Sequence, residues 1–280
     1  MQTTAHVHRL PVTTPTLFPA TTTNVFVVTD GREAVLIDAG YDHEDAHATV
    51  TAYLKSIGSP QVKAILITHF HRDHTPGAKF FSAHFNCPIY AHPIEVPYVE
   101  EEIAPVKVTG TLEEGDVMAV GDLQLHVFHA PGHTHGCLNF WLPEDEVLFV
   151  GDNIVSVGTT WIGPPEGDLK AYLTSLERLK SYNAKWIGPG HGEMIADVTE
   201  KIDFFINRRL ERENQIVGLL AKGSLSAQEL LEQVYGDTVH PSVIWVAERT
   251  IQGHLNKLVD EGRAVELPEK PAPRYQLVQA

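Results

Sequence analysis

Residues 62–67, Val-Lys-Ala-Ile-Leu-Ile, form a short apolar run that stops on Thr68-His69-Phe70-His71-Arg72-Asp73-His74. The run is too short for a helix and reads as a buried strand. A buried strand cannot end on three imidazoles and a carboxylate unless those groups find partners. The chain is therefore required to fold into a sheet whose strand ends open onto a polar site. At a strand end, alternate side chains point the same way, so His69 and His71 converge on one point while Asp73 and His74 address a second beside it. Imidazole and carboxylate are the ligands that zinc or iron takes when thiolate is scarce. Cys87 and Cys137 are the only cysteines in 280 residues, too few for a disulfide framework or a thiolate cluster, so metal chemistry falls to the 16 histidines.

The rest of the chain supplies the sheet and its cover. Residues 24–28 and 34–38 flank Asp30-Gly31 as a β-hairpin. Helical spacing over residues 43–57 closes at Gly58 and Pro60, and a second helix is expected over 76–85. Strands follow at 89–91, 123–129, 138–142 and 147–150, then a helix over 168–182, a strand at 185–187 and a long amphipathic helix over 198–222. Strands interrupted by helices on this scale predict sheets covered by helices. Beyond Gly223-Ser224, helices over 226–235 and 241–260 precede a small hairpin at 263–267 and 275–278. That order predicts two units, residues 1–222 carrying the site and residues 223–280 forming a winged-helix-like module.

Three further loops carry ligand-type side chains after apolar strands: Gly132-His133-Thr134, Gly151-Asp152-Asn153 and Gly190-His191-Gly192, with glycines that let the backbone turn closely. With H-x-H-x-D-H at 69–74, this set resembles the metallo-β-lactamase superfamily over residues 20 to 200. The resemblance implies an α+β, four-layer αββα sandwich and two divalent metal ions, zinc first, with iron or manganese also compatible. It implies that His69, His71 and His133 hold the first ion, that Asp73, His74 and His191 hold the second, and that Asp152 bridges both. Asp38 matches the family's buried acidic position and would support the metal loop from outside. Asp73 would orient a metal-bridging hydroxide for attack on a carbonyl or phosphoryl group. The chain keeps Asp152, which the antibiotic-hydrolysing members lack or replace, so β-lactam hydrolysis is not the expected activity. Residues 207–215, rich in Arg and Glu, together with the tail, are similar to a branch that includes a mitochondrial β-lactamase-like endoribonuclease and fungal polyketide thioesterases. Gly158-Thr159-Thr160 fits the same branch.

Other polar residues have simpler readings. His84, His92, His126, His129 and His240 are isolated in sequence, and Glu100-Glu101-Glu102 reads as a solvated face. Cys137 lies in a strand context that fits a small buried hydrophobe. His135, two residues past His133, is a candidate for the pocket wall, as are Thr160 and Trp161.

Charge limits the partners. The formal net charge is -15, which opposes general binding to nucleic acid or anionic membranes. Residues 200–280 carry ten Lys or Arg against twelve Asp or Glu, so the tail lacks the basic face of a DNA reader and is expected to cap the site mouth or form a homodimer surface. Arg208, Arg209 and Arg212 are candidates for anion contact or for intramolecular salt bridges. No apolar run has the length of a membrane span, and the first residues lack a signal-peptide pattern, so a cytoplasmic location is expected. The sequence reading is a metal-dependent hydrolase of a small ester, thioester or lactone. A single-strand-specific RNA endonuclease using the same centre is the rival, and a non-catalytic metabolite-binding member is a third reading.

Overall fold

A computed structural model describes residues 1–16, 20–236 and 239–278. Strands β1 (Val7–Thr13), β2 (Thr22–Thr29), β3 (Glu33–Ile37), β4 (Gln61–Leu66), β5 (Ile89–Ala91) and β6 (Gly110–Thr111) lie side by side in that order. The β2–β3 pair is the antiparallel hairpin expected around Asp30-Gly31, and β3 to β6 run parallel. Their crossovers are α1 (Glu44–Ser56), α2 (Ala78–Phe85) and α3 (Val96–Glu102). The second sheet holds β7 (Val117–Val120), β8 (Leu123–His129), β9 (Leu138–Leu142), β10 (Val147–Gly151) and β11 (Trp186–Pro189), in the order β11-β10-β9-β8-β7. Helix α4 (Leu169–Leu179) crosses from β10 to β11, and α5 (Val198–Leu220) follows.

Two-residue alternation makes these sheets into layers. On β2, Val25 and Val27 pack toward α1 and α2, whereas Phe26 and Val28 pack between the sheets. On β10, Val147 and Phe149 face the other sheet, and Leu148 and Val150 meet Tyr172, Leu176, Ile202 and Phe205 of α4 and α5. Both sheets are therefore apolar on both faces and covered by helices outside, which is the expected αββα sandwich.

Of the five elements that escaped the sequence pattern, β6 and β12 (Leu225–Ser226) are two-residue strands, and the other three have local reasons. Strand β1 is an edge strand that carries Pro11, which an edge tolerates because one side of the strand has no ladder to complete. Strand β7 is a four-residue edge without clean alternation. Helix α3 starts with proline in its first turn and contains the Glu100–Glu102 cluster, whose members pair with Lys107 (2.6 Å) and Arg72 (3.1 Å). No helix among the described residues is long and apolar enough to cross a membrane.

The tail comprises β12 (Leu225–Ser226), α6 (Ala227–Tyr235), α7 (Ile244–Asp260), β13 (Ala264–Leu267) and β14 (Arg274–Leu277), a winged helix with sheet order β12-β14-β13. Ser226 and Glu229 close a reciprocal capping box at the start of α6. The tail's core of Leu230, Ile251, Leu255, Leu258 and Tyr275 includes Ile216 and Leu220 of α5, so one helix serves two cores. Buried Glu213 of α5 fixes the junction by accepting from Lys257 Nζ at 2.6 Å and from Arg263.

His254, on α7, is 1% exposed, and neither ring nitrogen has a hydrogen-bond partner among the described residues. Burial, then the charges of Arg209, Arg212 and Lys257, push its pKa down to about 3. Because the unfolded chain takes up this proton near pH 6.5 and the folded chain does not, stability falls as pH drops from about 6.5 toward 3. Urea denaturation is expected to lose on the order of 3 kcal/mol between pH 7 and 4.5 through this residue. His254→Met should shrink that loss by the same amount; an unchanged pH dependence in the variant would contradict the assignment.

Candidate metal centre

The site lies where the strands of both sheets end on one edge. Asp38 follows β3 and the 68–74 loop follows β4, while Asp152 and His191 follow the parallel strands β10 and β11. Because β2 runs antiparallel to β3, its first residues, Thr22 and Thr23, reach the same edge. His133 comes from the loop between β8 and β9. Gly190 lets the last loop approach, because a Cβ there would meet Asp152 Oδ1 at 2.3 Å and His74 Cε1 at 2.7 Å.

Each of the five histidines has its outer nitrogen tied to an acceptor. His133 Nδ1 donates to the Trp161 carbonyl and His191 Nδ1 to the Thr22 carbonyl, both at 2.8 Å. His71 Nε2 donates to Glu166 at 3.0 Å and His74 Nδ1 to Asp38 at 2.8 Å. Thr68 Oγ1 gives its proton to Asp38 Oδ2 and so accepts from His69 Nδ1, 2.9 Å away. These bonds occupy the outer nitrogens and turn the five inner ones into the cluster.

The inner nitrogens face one another. His71 Nδ1 lies 3.0 Å from both His69 Nε2 and His133 Nε2. His191 Nε2 lies 3.0 Å from Asp73 Oδ2 and 3.3 Å from Asp152 Oδ2, and His74 Nε2 lies 3.4 Å from Asp73 and 3.5 Å from Asp152. Asp152 also stands 4.0 Å from His133 Nε2, next to both groups. Ligand atoms of His69, His71 and His133, and of Asp73, His74 and His191, fall within 4.8 Å of one another. Among the described residues, Thr23 Oγ1 is the one hydroxyl or amide donor to reach either carboxylate, at 3.2 Å from Asp73.

This enclosure calls for positive charge. Burial works against ionised Asp73 and Asp152, yet His74 and His191 outweigh it and hold both carboxyls well below the usual range. Burial likewise opposes a charge on His191, but Asp152 and Asp73 push its pKa up to about 10, and His74 is driven the same way by Asp73, Asp152 and Asp38. At the other end, burial and then neighbouring imidazoles hold His69 low and His133 at about 4, so these stay neutral. His74 Nε2 and Asp152 Oδ1 are sealed from solvent without a hydrogen-bond partner among the described residues. Buried polar atoms left without a partner in this way fit divalent cations, and the donor set suits zinc, iron or manganese.

Two carboxylates that the sequence reading missed support the cluster. Glu95, 1% exposed, accepts from Phe70 N (2.8 Å), Thr134 Oγ1 (2.9 Å) and Gly136 N (2.8 Å), clamping the His69 loop to the His133 loop. An isolated acid in the apolar, proline-flanked Pro93-Ile94-Glu95-Val96-Pro97 is the signal that could have found it. Glu166, which orients His71, lies one residue past Trp161-Ile162-Gly163-Pro164-Pro165, the segment read as a pocket wall. Asp38 accepts from Thr68 N as well as from His74 Nδ1.

A cavity of about 780 Å³ opens above the cluster, with His71, Asp73, His133, Asp152 and His191 in its wall. Thr160 and Trp161 line it. His135 does not. The bonds from Thr134 and Gly136 to Glu95 turn the loop so that residue 135 faces outward, where its Nε2 meets the Pro165 carbonyl at 2.9 Å. Cys137 is buried beneath the loop, and burial pushes its thiol pKa up. Arg209 is buried as well, donating to the Thr160 carbonyl, whereas Arg208 pairs with Glu211 at the surface.

Known proteins place this architecture. The Metallo-beta-lactamase superfamily matches residues 19–191, and the Beta-lactamase associated winged helix domain matches residues 226–270. The chain is 30% identical over 251 residues to "Beta-lactamase-like protein 2 homolog" of Caenorhabditis elegans, covering 88% of this chain and 81% of that protein. It is 27% identical over 264 residues to an atrochrysone carboxyl ACP thioesterase of Cryptosporiopsis sp., covering 89% and 78%. In fold, it is similar to a metallo-beta-lactamase family protein of Thermus thermophilus (TM-score 0.79, 24% identity, 98% of this chain and 99% of the other). A beta-lactamase domain protein of Burkholderia ambifaria gives a TM-score of 0.88 at 19% identity, covering 99% and 93%. The chain belongs to the metallo-beta-lactamase superfamily and is a hydrolase of that superfamily with a C-terminal beta-lactamase-associated winged helix.

Proposed function

We propose that the chain is a dinuclear metal-dependent hydrolase of a small ester, thioester or lactone, with thioesters foremost. The observation that carries this reading is the cluster of five inward-facing imidazole nitrogens and two carboxylates opening into a walled cavity. His69, His71 and His133 would hold one ion and Asp73, His74 and His191 the other, with Asp152 shared, and zinc is the first metal to test. When bound, two divalent ions supply an activated water near neutral pH and Lewis acidity toward the carbonyl oxygen.

The chain's own residues supply order around that chemistry. Asp73, steadied by Thr23, presents a carboxylate oxygen to the cavity and orients the attacking water. Asp38 and Glu166 keep His74 and His71 in the tautomers that face inward. Val155, Val157 and Trp161 give the cavity apolar wall against which an acyl chain can lie. The volume of about 780 Å³ suits a small molecule. Relatives named atrochrysone carboxyl ACP thioesterases support the thioester preference. The division of the chain at 222/223 goes with this reading, residues 223–280 acting as a cap.

Single-stranded RNA is the rival substrate. The net charge of -15 and the burial of α7 through Ala247, Ile251, Gly253, Leu255 and Leu258 weigh against it, since α7 is the helix a winged helix would lay on nucleic acid.

Two outcomes are expected. Against a panel of acyl thioesters, esters, lactones and short single-stranded RNA, the metal-loaded protein should turn over the carbonyl compounds, and Asp73→Asn should lose about two to four orders of magnitude in kcat. Cleavage of RNA alone would overturn the proposal. Asp38→Asn should weaken metal affinity by about ten- to a hundredfold, read by competition with a chromogenic chelator. Equal affinity in the variant would remove Asp38 from its supporting role.

A further inference from the structure

The tail contributes to the wall of the cavity through Val243, Trp245, Val246 and Arg249, so the two parts of the chain share one site. The contact is close. Gly163 abuts the backbone of Arg249, where a Cβ would meet the Arg249 carbonyl oxygen at 2.5 Å. A Cβ on Gly253 would lie 3.4 Å from the Ile162 carbonyl oxygen and 3.5 Å from Gly163 Cα. Helix α7 is thereby set directly on the loop whose Trp161 carbonyl holds His133.

Within that wall, the Arg249 guanidinium lies against two indoles, 5.6 Å from the Trp161 ring and 5.3 Å from the Trp245 ring, and the two rings meet edge-on at 5.6 Å. Cation–π contact of this kind helps hold the guanidinium in place. The other arginine in the lining, Arg72, is bound to Glu102 at 3.1 Å. Among the described residues, no carboxylate forms an ion pair with Arg249. Glu166 is near enough for its charge to be stabilised by Arg249, but its hydrogen bond goes to His71. An arginine held in the cavity wall with no carboxylate ion pair among the described residues is a receptor for an anion.

We infer that Arg249 anchors an anionic group of the substrate, a carboxylate or phosphate remote from the scissile carbonyl, with Trp161 and Trp245 bracing the guanidinium. This inference rests on the proposed hydrolase reading and names the substrate class: acyl compounds that carry a fixed negative charge. The winged helix then acts as the specificity element of the site.

Binding and turnover separate this inference from the hydrolase reading. Calorimetric titration of the zinc-loaded full chain with glutarate and with phosphopantetheine tests the anion anchor without any reaction. Wild type should bind at least one of the two about tenfold or more tightly than Arg249→Met, and Arg249→Lys should recover part of the difference. Equal affinity of wild type and Arg249→Met for both probes would overturn the inference, whatever the protein hydrolyses. In turnover, succinyl and butyryl thioesters of N-acetylcysteamine place the charge on the acyl side, and butyryl phosphopantetheine places it on the thiol side. Wild type should favour one charged compound over its neutral counterpart through KM, and Arg249→Met should collapse that preference by about tenfold. A preference kept in the variant would count against the anchor. Turnover of none of these compounds, with Arg249-dependent anion binding intact, would contradict the hydrolase reading and leave the anchor standing.

Discussion

The crowding of imidazoles and carboxylates into one buried cluster governs this structure. Five imidazoles donate outward and turn their second nitrogens inward, toward two carboxylates that burial would rather see neutral. Such a group of buried polar atoms holds its shape through what surrounds it. The surrounding acceptors come from separate elements: Thr22 at the start of β2, Asp38 after β3, Glu166 and the Trp161 carbonyl from the segment after β10. Glu95, before α3, ties two of the ligand-bearing loops together. The sandwich brings these pieces to one edge, which explains why both sheets end there.

The same loop that orients a ligand also receives the tail. Thr160 donates to the Asp152 carbonyl and accepts from buried Arg209, and Trp161 holds His133 through its carbonyl while its ring faces Trp245 and Arg249. Two residues thus connect the cluster, α5 and the winged helix. The winged helix therefore packs on the segment that orients His133.

Much of this was legible in the sequence because the informative signals are local. An apolar strand running into His69-x-His71-x-Asp73-His74 specifies both the strand and its exit, and glycine-flanked His133, Asp152 and His191 repeat the same grammar after three other strands. Helix and strand periods located most elements. The edge strands β1 and β7 stayed hidden because proline or a short, weakly alternating run blurs the two-residue period. Glu166 and Arg249 were hidden for another reason: each acquires its part from a contact made across the fold, to His71 and to Trp161, and Glu95, though marked as a lone acid in an apolar stretch, takes its part from Phe70 in the same way. His135 erred in the opposite direction, since nearness in sequence to His133 places it on the far side of a tight loop.

The central claim is that the acceptor cluster is built for two cations. Its most direct test is a zinc titration of the metal-free full chain, followed by calorimetry and by elemental analysis after gel filtration. The account predicts two ions per chain, with protons released as zinc replaces the positive charge drawn onto His74 and His191. Binding of one ion or none under saturating zinc would contradict it.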